Sequence, residues 1–193
     1  MRLGFGIRHS AITTLLAQQT PVARNTVTWL NGTLPVRISA YTTTPELPAE
    51  LVTSVRCLVR VGGEFVLCEN AEGCHLVPGG RRQSGESYRD TAVREVHEET
   101  GWLVRPGSLR TVGWLHLENL GTRPRDESLP YPDFLQIVLC GVATERDGGA
   151  DTQWTDTDGW ETGSRLVSPA EARSRSSNDM LDVVYLDAIT QPG

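Results

Sequence analysis

The chain has 193 residues, enough to bury one sizeable core, and 38% hydrophobic with 22% charged residues is a globular composition, not a disordered or fibrous one. A formal charge of −6 without any Lys/Arg block gives no electrostatic help toward duplex nucleic acid or an anionic membrane. A small phosphate-bearing molecule is not excluded, because a bound cation can supply positive charge locally.

In chain order, Ile12, Leu15 and Leu16 mark a short helix, and Ala11–Ala17 is too broken by Thr13 and Thr14 for a signal peptide. Thr26–Tyr41 alternates apolar residues around Asn31-Gly32 and reads as a β-hairpin, with Pro35 marking the return strand as an edge. Thr42–Pro48 is Thr- and Pro-rich, so a linker is expected there, dividing an N-terminal extension (1–45) from a main domain (46–193). Leu51–Val61 and Glu64–Cys68 read as strands joined at Gly62-Gly63, followed by His75-Leu76-Val77 and the strong break Pro78-Gly79-Gly80. Ser84–Thr100 has helical character and stops at Gly101, which suits a left-handed cap. Trp102–Val104, Arg110–Leu117, Phe134–Ala143 and Trp160–Val167 are further strands, and Arg146–Asp158 is expected to be exposed. Ser168-Pro169 opens a helix, and Asp179–Ile189 is the last one. The mixture implies an α/β or α+β sandwich.

Cys57, Cys68, Cys74 and Cys140 form no Cys-x-x-Cys pair, and no histidine stands at zinc-finger spacing from them. They read as reduced thiols of a soluble cytoplasmic protein, with a Cys68–Cys74 bridge left open. No apolar run is long enough to span a bilayer.

The chemistry concentrates on one helix. Glu95, Glu98 and Glu99 stand at i, i+3 and i+4 and share one face, while Ala92, Val93 and Val96 form the neighbouring face that docks on a sheet. Three like charges near a helix C-terminus oppose both one another and the macrodipole. On spacing alone they are either a solvated acidic face, helped by Arg89 and Arg94, or a site for a hard divalent cation, Mg²⁺ or Mn²⁺.

The surroundings favour the second reading. From Gly80 the sequence runs Gly-x5-Glu-x7-Arg-Glu-Val-x-Glu-Glu-x-Gly-Trp, through Glu86, Arg94, Glu95, Val96, Glu98, Glu99, Gly101 and Trp102. This resembles the signature of the Nudix hydrolases at every fixed polar and glycine position. Only Trp102 departs, standing where an aliphatic residue is usual. The resemblance runs from Leu51 to Val167.

The resemblance implies an α/β/α sandwich around a mixed sheet, and hydrolysis of a pyrophosphate linkage between a nucleoside diphosphate and another moiety. It implies Glu95 and Glu99 as principal ligands of Mg²⁺ (Mn²⁺ also serving), Glu98 as a further ligand, and the Gly80 carbonyl as a backbone ligand. Arg94 would orient the carboxylates, and Glu86 would support the loop. Glu98 is the first choice of general base, with Glu118, Asp126, Glu127 and Glu161 as later-loop alternatives. Arg56, Arg81, Gly79 and Gly80 are candidate contacts to a small nucleotide-type substrate, and Trp114, Tyr131, Phe134 or Trp160 could stack on a base. The marks of relatives selective for ADP-ribose, dinucleoside polyphosphates or NADH are missing. The alternatives are a catalytically silent nucleotide-sensing module, which the retained carboxylates disfavour, and a prenyl-diphosphate isomerase, for whose Cys and Glu no surroundings are found. The edge strand in 1–45 either pairs with a second copy, making a homodimer, or covers the protein's own sheet.

Overall fold

In the computed structural model, residues 10–29, 33–123, 130–149, 154–176 and 181–190 are described. The expected Asn31-Gly32 turn, Asp126, Glu127 and the start of the last helix at Asp179 lie outside them.

The elements are α1 (Ser10–Ala17), β1 (Ala23–Trp29), β2 (Leu34–Tyr41), β3 (Val52–Val61), β4 (Glu64–Asn70), β5 (Gly73–His75), α2 (Tyr88–Thr100), β6 (Trp102–Val104), β7 (Arg110–Asn119), β8 (Asp133–Arg146), β9 (Glu161–Val167), α3 (Pro169–Arg175) and α4 (Leu181–Thr190). The strands join one mixed sheet in the order β1-β2-β7-β8-β3-β4-β5, with β6 on β8 and β9 on β4. β3 and β8 run parallel, and the other pairs are antiparallel.

Period-2 alternation sends the central strands' side chains into two cores. Val55, Cys57 and Val59 of β3 and Leu135, Ile137 and Leu139 of β8 meet Ile12 of α1 and Ala92 and Val96 of α2. Leu58, Phe134, Val138 and Cys140 face the other way, toward Ala172 of α3 and Leu181, Tyr185 and Leu186 of α4. Both faces of the sheet are thus covered, which is why β3 and β8 read as near-continuous apolar runs. The chain is an α/β sandwich, as the pattern implies. Among the described residues no helix is long and apolar enough to cross a membrane.

Three expectations need correction. Pro35 does not mark an edge: β2 lies inside the sheet, between β1 and β7. The Pro35 carbonyl accepts from Leu120 N–H (2.9 Å), so its nitrogen also faces the β7 side, where the ladder has already ended at Val36–Asn119. The missing N–H costs no ladder bond there. The motif helix starts at Tyr88, not Ser84, because Gly85 takes φ 86° and Ser87 caps it in a reciprocal capping box with Asp90. The stretch after Arg146 is not simply exposed: Asp156 is buried and accepts from the amides of Trp160 and Glu161. The four cysteines are free thiols.

The N-terminal hairpin is part of the same sheet through β2, and Val27, Trp29 and Leu34 pack on the second core. β1 is the outer strand on this side.

Candidate active site

The glycine turn is positioned by β3. The amides of Val55 and Cys57 donate to the carbonyls of Gly80 (3.0 Å) and Pro78 (2.9 Å), and Arg82 N–H donates to Thr53 (3.1 Å). The turn therefore runs beside β3 as a short extra strand, with Ser54 bridged to Arg81. Alternation leaves the groups of Gly79 facing away from β3: its amide donates to Glu99 Oε2 (2.9 Å), and its carbonyl accepts from Arg56 Nη1 (2.6 Å). The Gly80 carbonyl pairs with β3, whereas Gly79 faces the acids.

Backbone contact requires glycine at Gly79, and the Glu95 carboxylate crowds Gly80. A Cβ at Gly79, whose φ is 146°, would stand 2.1 Å from the Val55 carbonyl oxygen. A Cβ at Gly80 would meet the Glu95 carboxylate at 2.6 Å. The turn and the helix are thus packed backbone against carboxylate.

Arg94 is the centre of the acidic face. Its guanidinium donates to Glu86 Oε1 (2.6 Å) and Oε2 (3.0 Å), to Glu95 Oε1 (2.8 Å), to Glu98 Oε2 (2.8 Å) and to the Arg81 carbonyl (3.0 Å). One cation thus serves three carboxylates and ties helix to loop. The Arg94 bond holds the Glu86 carboxyl down to about 2. Arg94 itself is held still more firmly as a cation by the same bonds, Glu86 first. Burial raises the Glu95 carboxyl despite Arg94. Glu98 is the most open of the three Arg94-bound acids, its side chain 35% exposed.

Glu99 lies outside that network. Its hydrogen bond comes from the Gly79 amide, and no Arg94 contact reaches it. Burial pushes its carboxyl up to about 7, against the pull of Arg56 and the Gly79 bond, and Glu161 raises it further. Arg56 sits on β3, steadied by Gln136 of β8 at 3.2 Å.

The helix end is closed by the expected Gly101 cap and by one residue that spacing did not single out. Gly101 caps α2 at φ 72°, and the Trp154 indole lies where a Cβ at Gly101 would be, donating to the Glu98 carbonyl at 2.9 Å. Nothing in the local pattern announces Trp154, which reaches the helix across a long, polar connection.

Of the alternative bases, Glu118 is paired with Arg37 at 2.8 Å. Glu161 is buried at the start of β9, bonded to His75 (2.9 Å) and Asn70 (3.1 Å). Of the aromatic candidates, Trp114 is core, stacked on Tyr41 with centroids 3.9 Å apart. Phe134 is also buried, and the Tyr131 hydroxyl donates to the Gly121 carbonyl. Trp160, 59% exposed and next to Glu161, is open to a ligand.

A divalent cation fits this arrangement: carboxylate and carbonyl oxygens suit a hard ion, and Glu99 is a half-buried acid lacking an ion-pair partner among the described residues.

The same architecture occurs in known proteins. The family model for the NUDIX domain matches residues 50–185. An uncharacterized Nudix hydrolase of Bacillus subtilis, YvcI, is 36% identical over 52 residues, which cover 26% of this chain and 33% of the relative; the match spans about a third of that protein. Among solved structures, the Bacillus subtilis pyrophosphohydrolase BsRppH, as a glutamate-to-alanine mutant, aligns at TM-score 0.56 and 19% identity over 86% of this chain and 93% of that one. A NUDIX hydrolase from Nitrosomonas europaea aligns at TM-score 0.52 and 18% identity, over 72% and 88%. At such identity these two structures speak for the fold.

Proposed function

This chain belongs to the NUDIX domain family, matched over residues 50–185, and on that premise we propose that it hydrolyses a pyrophosphate linkage in a nucleoside diphosphate joined to another moiety. The observation that carries this reading is the uneven charge balance on α2. Arg94 answers Glu86, Glu95 and Glu98, while half-buried Glu99 has, among the described residues, only a backbone amide donor. A face built this way is completed by a divalent cation, Mg²⁺ or Mn²⁺.

Glu95, Glu98 and Glu99 would hold that cation, with a backbone carbonyl of the Gly79-Gly80 turn. Each of the two carbonyls already accepts one hydrogen bond, Gly80 from the Val55 amide and Gly79 from Arg56, and keeps a second lone pair for a cation. When bound, the cation supplies neutralisation of phosphate charge and a lowered pKa for the attacking water. The chain's own groups do the rest. Arg56, oriented by Gln136, and Arg81, on the exposed side of the turn, contact the phosphate oxygens. Glu98, the open carboxylate, takes the proton of water as its oxygen attacks phosphorus. The bond from phosphorus to the bridging oxygen breaks, and its electrons leave with the departing phosphate. Arg94 keeps Glu95 and Glu98 in place without touching substrate. Trp160 offers an exposed face to a base.

The test is a panel of nucleoside triphosphates, ADP-ribose, nucleotide sugars, dinucleoside polyphosphates and modified nucleotides, each with Mg²⁺ and with Mn²⁺. The expected result is cation-dependent cleavage of at least one member into two phosphate-bearing products. Binding of nucleotides without cleavage of any would contradict the reading and favour a sensing module.

A further inference from the structure

Outside the Arg94 network, three strands bring together side chains that are distant in sequence. One ligand atom each of Cys68 on β4, His75 on β5 and Glu161 on β9 lies within 4.8 Å of the other two. One Glu161 oxygen is occupied by His75 and Asn70, at 2.9 and 3.1 Å. The other, Oε2, is buried and has no hydrogen-bond partner. A buried polar atom left unpaired is destabilising, more so when charged, so a fold that keeps one calls for an explanation.

We propose that Cys68, His75 and Glu161 form a second cation site, selective for a divalent metal of the zinc class and distinct in its ligands from the acidic face of α2. Sulfur, imidazole and one carboxylate are a donor set that zinc prefers and magnesium does not. Bonds of about 2.0–2.3 Å place tetrahedral donors about 3.5 Å apart, so small side-chain adjustments close the observed spacing. The metal would give Glu161 Oε2 its missing partner. Cys68 would bind as thiolate, its S–H proton passing to water. His75, whose side chain is 14% exposed, leaves the fourth position an approach from solvent. The bound ion would tie β9 to β4 and β5, and would sit within electrostatic reach of Glu99, on which His75 and Glu161 already act. The site stands independently of the hydrolysis reading.

Co²⁺ titration of the metal-free full chain tests this, cobalt serving as a coloured stand-in for zinc. The expected result is a near-ultraviolet thiolate-to-cobalt band that saturates at one equivalent and is displaced by Zn²⁺ but not by excess Mg²⁺. Cys68→Ser abolishes the band and His75→Gln weakens binding by at least about tenfold. Cys74→Ser and Glu99→Gln leave the band intact. Zn²⁺ raises the Tm of the unmutated chain by more than that of His75→Gln at the same concentration. Absence of the band, its survival in Cys68→Ser, or its loss in Cys74→Ser or Glu99→Gln overturns the proposal. Should Cys68→Ser fail to fold in its core position, the part-exposed His75→Gln variant decides: undiminished binding there overturns the proposal equally.

Discussion

Within two turns of α2 the same residue type meets two environments. Glu95 and Glu98 share the Arg94 guanidinium at 2.8 Å, and Glu86 joins them from the loop. Glu99 is half-buried, has a single amide donor from Gly79 among the described residues, and its carboxyl is pushed up to about 7 because desolvation outweighs that bond and Arg56. The Arg94 end is a charge network complete in the free chain. On the proposed reading, the Glu99 end is completed by a cation. Spacing of the acids along a helix describes both ends equally, so the difference between them comes from the loop that packs over the helix and from depth beneath it.

That contrast can be broken most forcefully at Glu99. Glu99→Gln keeps an oxygen for the Gly79 amide and removes the charge. Turnover of any substrate found in the panel should fall on the order of 10³-fold, as for loss of a central electrostatic group, while thermal unfolding at pH 8 without metal shows a chain at least as stable as the original. At the other end, Arg94→Ala strands Glu86, Glu95 and Glu98 without their cation. Unfolding in urea should show a loss of about 3 kcal/mol, and turnover should drop about 10–100-fold.

The pH dependence of the metal-free chain sharpens the same contrast. Glu99 has a folded pKa near 7, above the ordinary 4.5, so the folded state holds its proton more tightly than the unfolded one. Its contribution is fully present below pH 4.5 and is lost as pH rises through about 7, at most about 3 kcal/mol. Glu86 has the opposite sign: held at about 2, it stabilises above pH 4.5 and is lost as pH falls toward 2. Metal-free stability should therefore decline on both sides of mildly acidic pH, and saturating Mg²⁺ should flatten the alkaline limb. Urea midpoints from pH 3 to 9, with and without Mg²⁺, give the comparison. Gly80→Ala pushes a methyl group into the Glu95 carboxylate, and a cost of about 1–3 kcal/mol is expected by thermal unfolding. The smallest effect is at the helix start, where Ser87→Ala removes the cap of α2 and should cost about 1 kcal/mol without changing Glu99.

Much of this was legible in the chain. The 3.6-residue spacing placed Glu95, Glu98 and Glu99 together, the left-handed stop at Gly101 was visible, and the apolar runs at β3 and β8 were legible as strands. The misses have physical reasons. Local helix character extended the motif helix back to Ser84, because propensity does not register that Gly85 adopts a positive φ and Ser87 a capping geometry. Pro35 was read as an edge signal, because its harmless position depends on where β7 ends. The family resemblance implied the Gly80 carbonyl as the backbone ligand, and motif spacing does not register that pairing with β3 turns the Gly79 and Gly80 carbonyls to opposite sides. Cys68, His75 and Glu161 carried no spacing signal at all, being joined only by the strand registers Cys68–His75 and Asn70–Glu161.

The most direct test of the account is Mn²⁺ binding, followed by electron paramagnetic resonance, to the unmutated chain and to Glu99→Gln between pH 6 and 9. The account predicts that affinity for the unmutated chain rises with pH through about 7, as Glu99 gives up its proton, and that Glu99→Gln binds at least about tenfold more weakly with that pH dependence gone. Equal affinity in the two proteins, with equal pH dependence, would contradict it.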